Sequence, residues 1–370
     1  MKAVIVGQGN PYVKNPYLSK LAEVLDKESV GYEFWMWFRE KGHEGLPKVR
    51  VLFTFGGWGG GIGSALGYLL WMARLFIAVL GSRRGTVFLC SRFDAALPCA
   101  LASIFRPLDY VFLDRDKLSK SYSWPRIVKI VLENFERFVE ARARFHVVPG
   151  ESRISSRRRP NARIVRNTPH SAVVQRAYEA SSAVPPRTGK LRVLISGLMS
   201  GPRGVAMTLE VVKSLKGSGI EFVAAGRLLG SEAHALGEVL GNCFLGEVSN
   251  EEALSLLIAS DVVFAFYDPA LEINRLAESN KWFDCAALGV PFVTNAGLLT
   301  TKPFTDAEAC FVVDYNDSGA LRELLLQLAD NPQLLQEVRQ SLLALRYEPW
   351  DHGMTEVIRE CAAIVKPANG

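Results

Sequence analysis

Short, continuous apolar runs recur along this chain, each followed by a stretch long enough for a helix. In the first half they fall at residues 3–6, 51–55, 87–90, 110–113 and 145–148. Unbroken runs, as opposed to alternating apolar and polar residues, are what strands covered on both faces require, so the pattern predicts a parallel sheet wrapped by helices. At 181–190 the sequence becomes Ser-Ser-Ala-Val-Pro-Pro-Arg-Thr-Gly-Lys, which stops helix and strand alike. Beyond it the rhythm restarts at 192–195, 221–224, 243–245, 262–266, 291–294 and 311–313. The expectation is α/β throughout, with a Rossmann-like domain over 1–180, a linker at 181–190, a second Rossmann-like domain over 191–346 and a closing segment at 347–370 that turns helical after Pro349. Two such sheets would present their carboxyl ends to a central cleft, where ligands of doubly wound sheets bind.

A length of 370 residues suits two cores, and 49% hydrophobic against 22% charged residues excludes a disordered chain. The net charge of +5 is uneven, with Arg142, Arg144, Arg153, Arg157, Arg158, Arg159, Arg163 and Arg166 in one stretch. Such a run reads as a solvated face or as a meeting place for anionic lipid or phosphate, and no motif for nucleic acid accompanies it. The six cysteines and five histidines show no metal-ligand spacing, so no metal site is expected. Met1 leads straight into the first apolar run without a cationic leader, which reads as cytoplasmic.

After 51–55 comes Gly-Gly-Trp-Gly-Gly-Gly-Ile-Gly at 56–63, a phosphate-binding turn in form. The run at 87–90 leads into Ser91-Arg92, so the carboxylate that would hold a dinucleotide ribose is missing. Residues 62–80 then form an almost wholly apolar helix, of the ~20 residues that cross a bilayer, but with Arg74 inside it. Two readings stand: a helix buried in the domain, or one lying in a membrane surface with Trp71, Tyr68 and Leu70 dipping in and Arg74, Arg83 and Arg84 at the head groups.

The segment 277–295, Ala-Glu-Ser-Asn-Lys-Trp-Phe-Asp-Cys-Ala-Ala-Leu-Gly-Val-Pro-Phe-Val-Thr-Asn, predicts a helix starting at Ser279 or Asn280, both good N-caps, and ending at Gly289 before a strand. The first-turn amides and Lys281 together make a field suited to a diphosphate, and Asp284, one turn on, can accept from the two hydroxyls of a ribose. The plainer alternative is an exposed Lys281–Asp284 ion pair contributing a few tenths of a kcal/mol, roughly.

This Asn-Lys-x-x-Asp turn followed by Ala-x-x-Gly-x-Pro and a strand resembles the nucleotide-sugar signature of GT-B glycosyltransferases that build bacterial cell-surface polysaccharides, most of all the xanthan-type glucuronosyltransferases. The resemblance implies a UDP-sugar donor and no resident cofactor, with Glu247 beside the base, Tyr267 near the phosphates, and Gly197 and Leu198 against the base or sugar. It also implies a last helix that crosses back to the first domain. Retaining members carry a glutamate eight residues before the ribose-binding acid; Leu276 stands there, which points to inversion.

For an inverting transfer the chain needs a base to take the acceptor proton. The turn Asp114-Arg115-Asp116 after 110–113 resembles the strand-end turn where inverting relatives hold it, making Asp116 the candidate and Asp114 its rival, with helix capping as the plain reading of both. Lys117 and Lys120 are read as contacts to an acceptor diphosphate. The expected function is transfer from a UDP-sugar, glucuronate included, to a polyprenyl-linked saccharide by a peripheral enzyme at the inner face of the cell membrane. The alternatives are a nucleotide-sugar epimerase of the same architecture and a non-catalytic binding or scaffold protein.

Overall fold

A computed structural model of the chain describes residues 2–12, 16–39, 45–56, 62–121, 124–154, 160–182, 184 and 188–365. Residues 57–61 of the glycine-rich run, 157–159 of the basic stretch, and 183 and 185–187 of the expected linker lie outside the described residues. The chain divides into two compact units: one runs to Val165 and takes up the chain again from Asp351, and the other is Arg166–Trp350.

The first unit carries β1 (Lys2–Gln8), α1 (Pro16–Lys27), β2 (Gly31–Trp37), β3 (Val49–Phe53), α2 (Ile62–Leu80), β4 (Thr86–Ser91), α3 (Phe93–Phe105), β5 (Asp109–Leu113), α4 (Leu118–Ser121), α5 (Arg126–Arg142), β6 (Phe145–Val148) and β7 (Ala162–Ile164). Its strands pair in parallel in the order β3-β2-β1-β4-β5-β6-β7, so the direction of winding reverses between β1 and β4. Helices α2, α3 and α5 follow strands that step one way across the sheet, and right-handed crossovers put them in one layer. That layer and the sheet share a core that includes Trp35, Trp37, Trp71, Leu75, Phe88 and Tyr110.

Trp71 therefore does not face outward. It is fully buried, and its indole N–H donates to the Asp94 carboxylate at 3.0 Å, which corrects the reading of this residue as a membrane contact. The cause is helical periodicity: Trp71, Leu75 and Val79 share the stripe that meets the sheet, and Arg74, at the edge of that stripe, is exposed.

The second unit carries α6 (Ser171–Ser181), β8 (Leu191–Met199), α7 (Val205–Ser214), β9 (Ile220–Leu228), α8 (Ser231–Leu240), α9 (Asn250–Ile258), β10 (Val262–Phe264), α10 (Glu272–Arg275), α11 (Asn280–Leu288), β11 (Phe292–Asn295), α12 (Lys302–Asp306), β12 (Phe311–Val313), α13 (Ser318–Asp330) and α14 (Pro332–Ala344). Its parallel sheet has the order β12-β11-β10-β8-β9, with the reversal between β8 and β10 and a hydrophobic core on each face. The expected strand at 243–245 is instead a single turn of 3₁₀-helix, Gly241–Cys243, with one bridge from Phe244 to Ala224. Two glycines in 241–246 adopt left-handed backbone and leave too short an extended run for a ladder.

The units separate after Val165, ahead of the proline-rich segment at 181–190. The reason is packing: α6 lies on α9, where the Ser255 hydroxyl donates to the Ala177 carbonyl at 3.2 Å and Arg176 pairs with Glu251 at 2.6 Å. The last helix, α15 (Trp350–Val365), contributes Met354, Val357, Ile358 and Cys361 as buried side chains, and two ion pairs fasten it within the first unit, Arg359 to Glu28 and Arg163 to Glu360, both at 2.7 Å.

Candidate functional site

The second unit's reversal point gathers most of the residues singled out from the sequence. There β8 and β9 approach so closely that a Cβ on Gly226 would lie 1.9 Å from the Gly197 carbonyl oxygen, so only glycine fits. Gly197 itself has φ +82°, and a Cβ on it would meet the Lys281 side chain, 3.5 Å from Cε and 3.9 Å from Nζ. The ammonium of Lys281 thus lies over bare backbone at the end of β8. Leu198, next along, is partly exposed at the rim. The Gly226 N–H donates to the Gly246 carbonyl at 2.7 Å, which brings the exposed Glu247 to the same end of the sheet, one residue past that contact.

Helix α11 supplies Lys281 in its first turn. Trp282, Phe283, Cys285, Ala286 and Leu288 bury one side of it, leaving Lys281 and Asp284, both half-buried, on the other. Ser279 occupies the N-cap with φ −68° and ψ 128°, but its hydroxyl makes no cap bond; it accepts from the Tyr267 hydroxyl instead. The first-turn amides are therefore not satisfied by that side chain, the condition in which a helix N-terminus receives an anion. Asn280, beside them, is exposed.

Tyr267 is a buried organiser of this corner. Its main chain is clamped by Asn295, which accepts from the Tyr267 N–H at 2.8 Å and donates to its carbonyl at 3.0 Å, and its ring stands edge-on to Trp282 at 5.3 Å. Over the same ring, at 4.0 Å, lies the guanidinium of Arg203, a residue the sequence reading passed over. Arg203 sits in the turn Gly201–Arg203 between β8 and α7. Tyr315 pins that turn by donating to the Gly201 carbonyl at 2.8 Å and accepting from the Gly204 N–H at 3.2 Å. One Arg203 nitrogen, Nη1, is buried and without a hydrogen-bond partner among the described residues.

Arg203 and Lys281 line one narrow pocket with Ser196, Leu198, Met199 and Phe266. Burial, and then the charge of Arg203, hold the Lys281 amine down to about 8, with Cys285 and Asp284 pulling weakly the other way. Two cations sharing one pocket, one with an orphaned donor, are what a polyanion such as a diphosphate would relieve, of both the repulsion and the missing hydrogen bond. The charge of Asp284 does act on Lys281, but both residues are half-buried, not exposed. The signal that would have revealed Arg203 is its setting, Gly-Pro-Arg-Gly at the end of a strand opening a helix.

In the first unit the two candidate bases part company. Asp114 is buried, 3.0 Å from His146 Nε2 and 3.6 Å from Lys117 Nζ. Burial alone would raise its pKa, but the hydrogen bond from His146 and the charges of Lys117 and Arg153 win and hold it below the usual range. Lys117 also pairs with the buried Glu140, and those two carboxylates raise its own pKa against the effect of burial. Its reading as an acceptor contact is thereby corrected: the lysine is spent inside the fold. Asp116, two residues beyond Asp114, is exposed, and Lys120 is half-buried in α4. Among the described residues, the grouping that could hold a metal is Asp114, Glu140 and His146, and the Lys117 ammonium is bound to two of its three members.

No protein-family model and no curated protein matches this sequence. Solved structures do. The chain is similar to sucrose-phosphate synthase from Thermosynechococcus elongatus (13% identity, 98% of this chain and 99% of that one, TM-score 0.66). It is similar to an alpha,alpha-trehalose-phosphate synthase (UDP-forming) from Burkholderia vietnamiensis (11%, 98% and 100%, TM-score 0.66). A putative UDP-N-acetylglucosamine 2-epimerase from Listeria monocytogenes also superimposes (12%, 100% and 97%, TM-score 0.64). The chain has the α/β GT-B fold of these enzymes.

Proposed function

We propose that the protein is a glycosyltransferase whose second unit holds a UDP-sugar, with the diphosphate on Arg203, Lys281 and the N-terminus of α11. The observation that carries this reading is the convergence of the two cations, one with a buried orphaned donor, at the sheet's reversal point. Neighbours named for UDP-sugar chemistry support it. Asp284 would take the ribose hydroxyls and Glu247 the base, with Gly197 and Leu198 against base or sugar.

In the transfer, the acceptor hydroxyl oxygen attacks the anomeric carbon, its proton passes to Asp116, and the bond from that carbon to the diphosphate breaks. Negative charge grows on the departing UDP, where Arg203, Lys281 and the helix amides lie ready to stabilise it. That field performs what a divalent ion does in other transferases, so the proposal is metal-independent. Asp116 is preferred to Asp114 because its carboxylate is exposed, whereas Asp114 is tied to His146 and Lys117. The acceptor is proposed to be a lipid-linked saccharide met at the inner face of the cell membrane, and the sugar to be a hexose such as glucuronate. The epimerase neighbour keeps a second reading in view, in which the same donor site serves a UDP-sugar that is rearranged and not transferred.

Calorimetric titration with UDP, GDP and ADP in the presence of EDTA tests the core of the proposal. UDP should bind selectively, and Arg203→Ala or Lys281→Ala should each weaken it by roughly 10–100-fold, the loss of one charge-assisted contact of ~1.5–3 kcal/mol. Absence of binding by any of the three nucleotides would sink it. Following UDP-sugars alone by proton NMR separates the readings, since only an epimerase converts the donor without an acceptor.

A further inference from the structure

Helix α5 is inverted relative to an ordinary surface helix. Its buried side carries Glu136, Val139 and Glu140, and the two carboxylates bind Ser119 and Lys117 respectively. Its outer side carries Ile127, Ile130, Val131 and Phe135, of which Ile127 is 78% exposed. A helix that spends its carboxylates inward and its isoleucines outward has not been shaped to face water.

The inversion does not stand alone. Helices α2, α3 and α5 are joined side by side through Trp71 to Asp94, the Phe76 and Phe105 rings at 6.0 Å, and Arg142 to Ser103 at 2.8 Å. Four exposed large hydrophobic residues lie on α2, two on α3 and five on α5, eleven of the twenty-three among the described residues. The longest of the three, α2, holds the stretch Gly63–Leu80, apolar enough to cross a membrane by composition, and only 28% of it is buried. Its crossover between β3 and β4 and its bond to Asp94 place it along the sheet as a layer helix.

Charge on this face is net positive. Arg74, Arg83, Arg84, Arg126, Arg137 and Arg142 are exposed; of the acids on the three helices, Asp94, Glu136 and Glu140 are buried and Glu133 is paired with Arg137. We propose that the outer face of α2, α3 and α5 is a docking surface for a bilayer containing anionic phospholipid, with Leu69, Ile77, Phe105, Ile127 and Ile130 entering the acyl boundary and the arginines at the phosphates. A second copy of the chain is disfavoured as the occupant, because a two-fold pairing would set this cationic face against itself. The surface deepens the lipid-linked-acceptor reading above by naming where the membrane is met, and its test needs no transfer activity.

The full chain is sedimented with phosphatidylcholine vesicles, with and without about 30% phosphatidylglycerol, an anionic fraction of the kind that attracts basic surface patches. It should partition onto the anionic vesicles and release as salt rises. Ile127→Asp with Ile130→Asp, or Arg74→Glu with Arg126→Glu, should each weaken partition by roughly tenfold or more, with UDP affinity unchanged. All four positions are exposed, so the variants leave the core intact, which circular dichroism checks. Failure to bind either vesicle, or equal binding by the wild type and both variants, overturns the proposal. So does a drop in oligomeric mass in the apolar variant, since the face would then join copies. Vesicle binding without UDP binding leaves this inference standing and removes the donor-site reading.

Discussion

Lys281 connects protonation to ligand binding. Its amine is held at about 8, against an ordinary 10.5, so between these values the unfolded chain carries a proton that the folded chain has released. Stability contributed by this group therefore rises as pH climbs from about 8 to 10.5, and its cost is fully present below 8. A diphosphate reverses the preference by favouring the charged amine. UDP affinity should accordingly fall above pH 8, by up to about tenfold per pH unit, and binding at pH 9 should take up a proton, seen as a dependence of the calorimetric heat on buffer ionisation enthalpy. In Lys281→Ala that dependence should vanish. Gly226 sets a second test at this scale: Gly226→Ala places a Cβ against the Gly197 carbonyl oxygen at a φ of +139°, where no side chain can give way. The expected cost is ~2–4 kcal/mol, read from the urea midpoint of the second unit.

At the scale of elements, α2 is where local pattern misleads. Length and composition match a membrane helix, and its ends at 62 and 80 are legible in the sequence to the residue. The rotation of the helix about its axis is not, because almost every side chain is apolar and periodicity has nothing to contrast. Trp71→Ala should cost ~3–5 kcal/mol through the cavity it opens, whereas Leu69→Ala or Ile77→Ala on the outer face should cost under ~0.5 kcal/mol, all measurable by thermal unfolding. Equal costs would contradict the packing described. The same limit explains other departures. Strand β2 has the polar Glu33 amid its aromatics and β7 has three residues, so neither presents an apolar run, and 243–245 presents one but forms only an isolated bridge, from Phe244 to Ala224. Helix α11 was readable because its Ser N-cap, its apolar side and its Gly289 stop are all local. The meeting of Arg203 with Lys281 was not, because it depends on two turns distant in sequence being brought to one sheet edge, although the Gly-Pro-Arg-Gly setting of Arg203 alone was legible.

For the whole molecule, the rhythm of apolar runs was enough to anticipate two doubly wound sheets, while the place of division was not. Proline and glycine mark where regular structure stops, but the contacts of α6 with α9 decide to which unit the preceding helix belongs. Since α15 gives its buried side chains to the first unit, removal of residues from Asp351 onward should lower the unfolding temperature of that unit and spare the other. Calorimetry should resolve this as one shifted and one unshifted transition; a common shift would contradict the assignment.

That closing helix also makes the second unit a complete insertion within the first. On the ribosome, at about 5–20 residues per second, the inserted unit has all its strands before the surrounding one has its last helix. The earlier-synthesised sheet must therefore wait for the helix that supplies Met354, Val357, Ile358 and Cys361 while a younger one finishes folding.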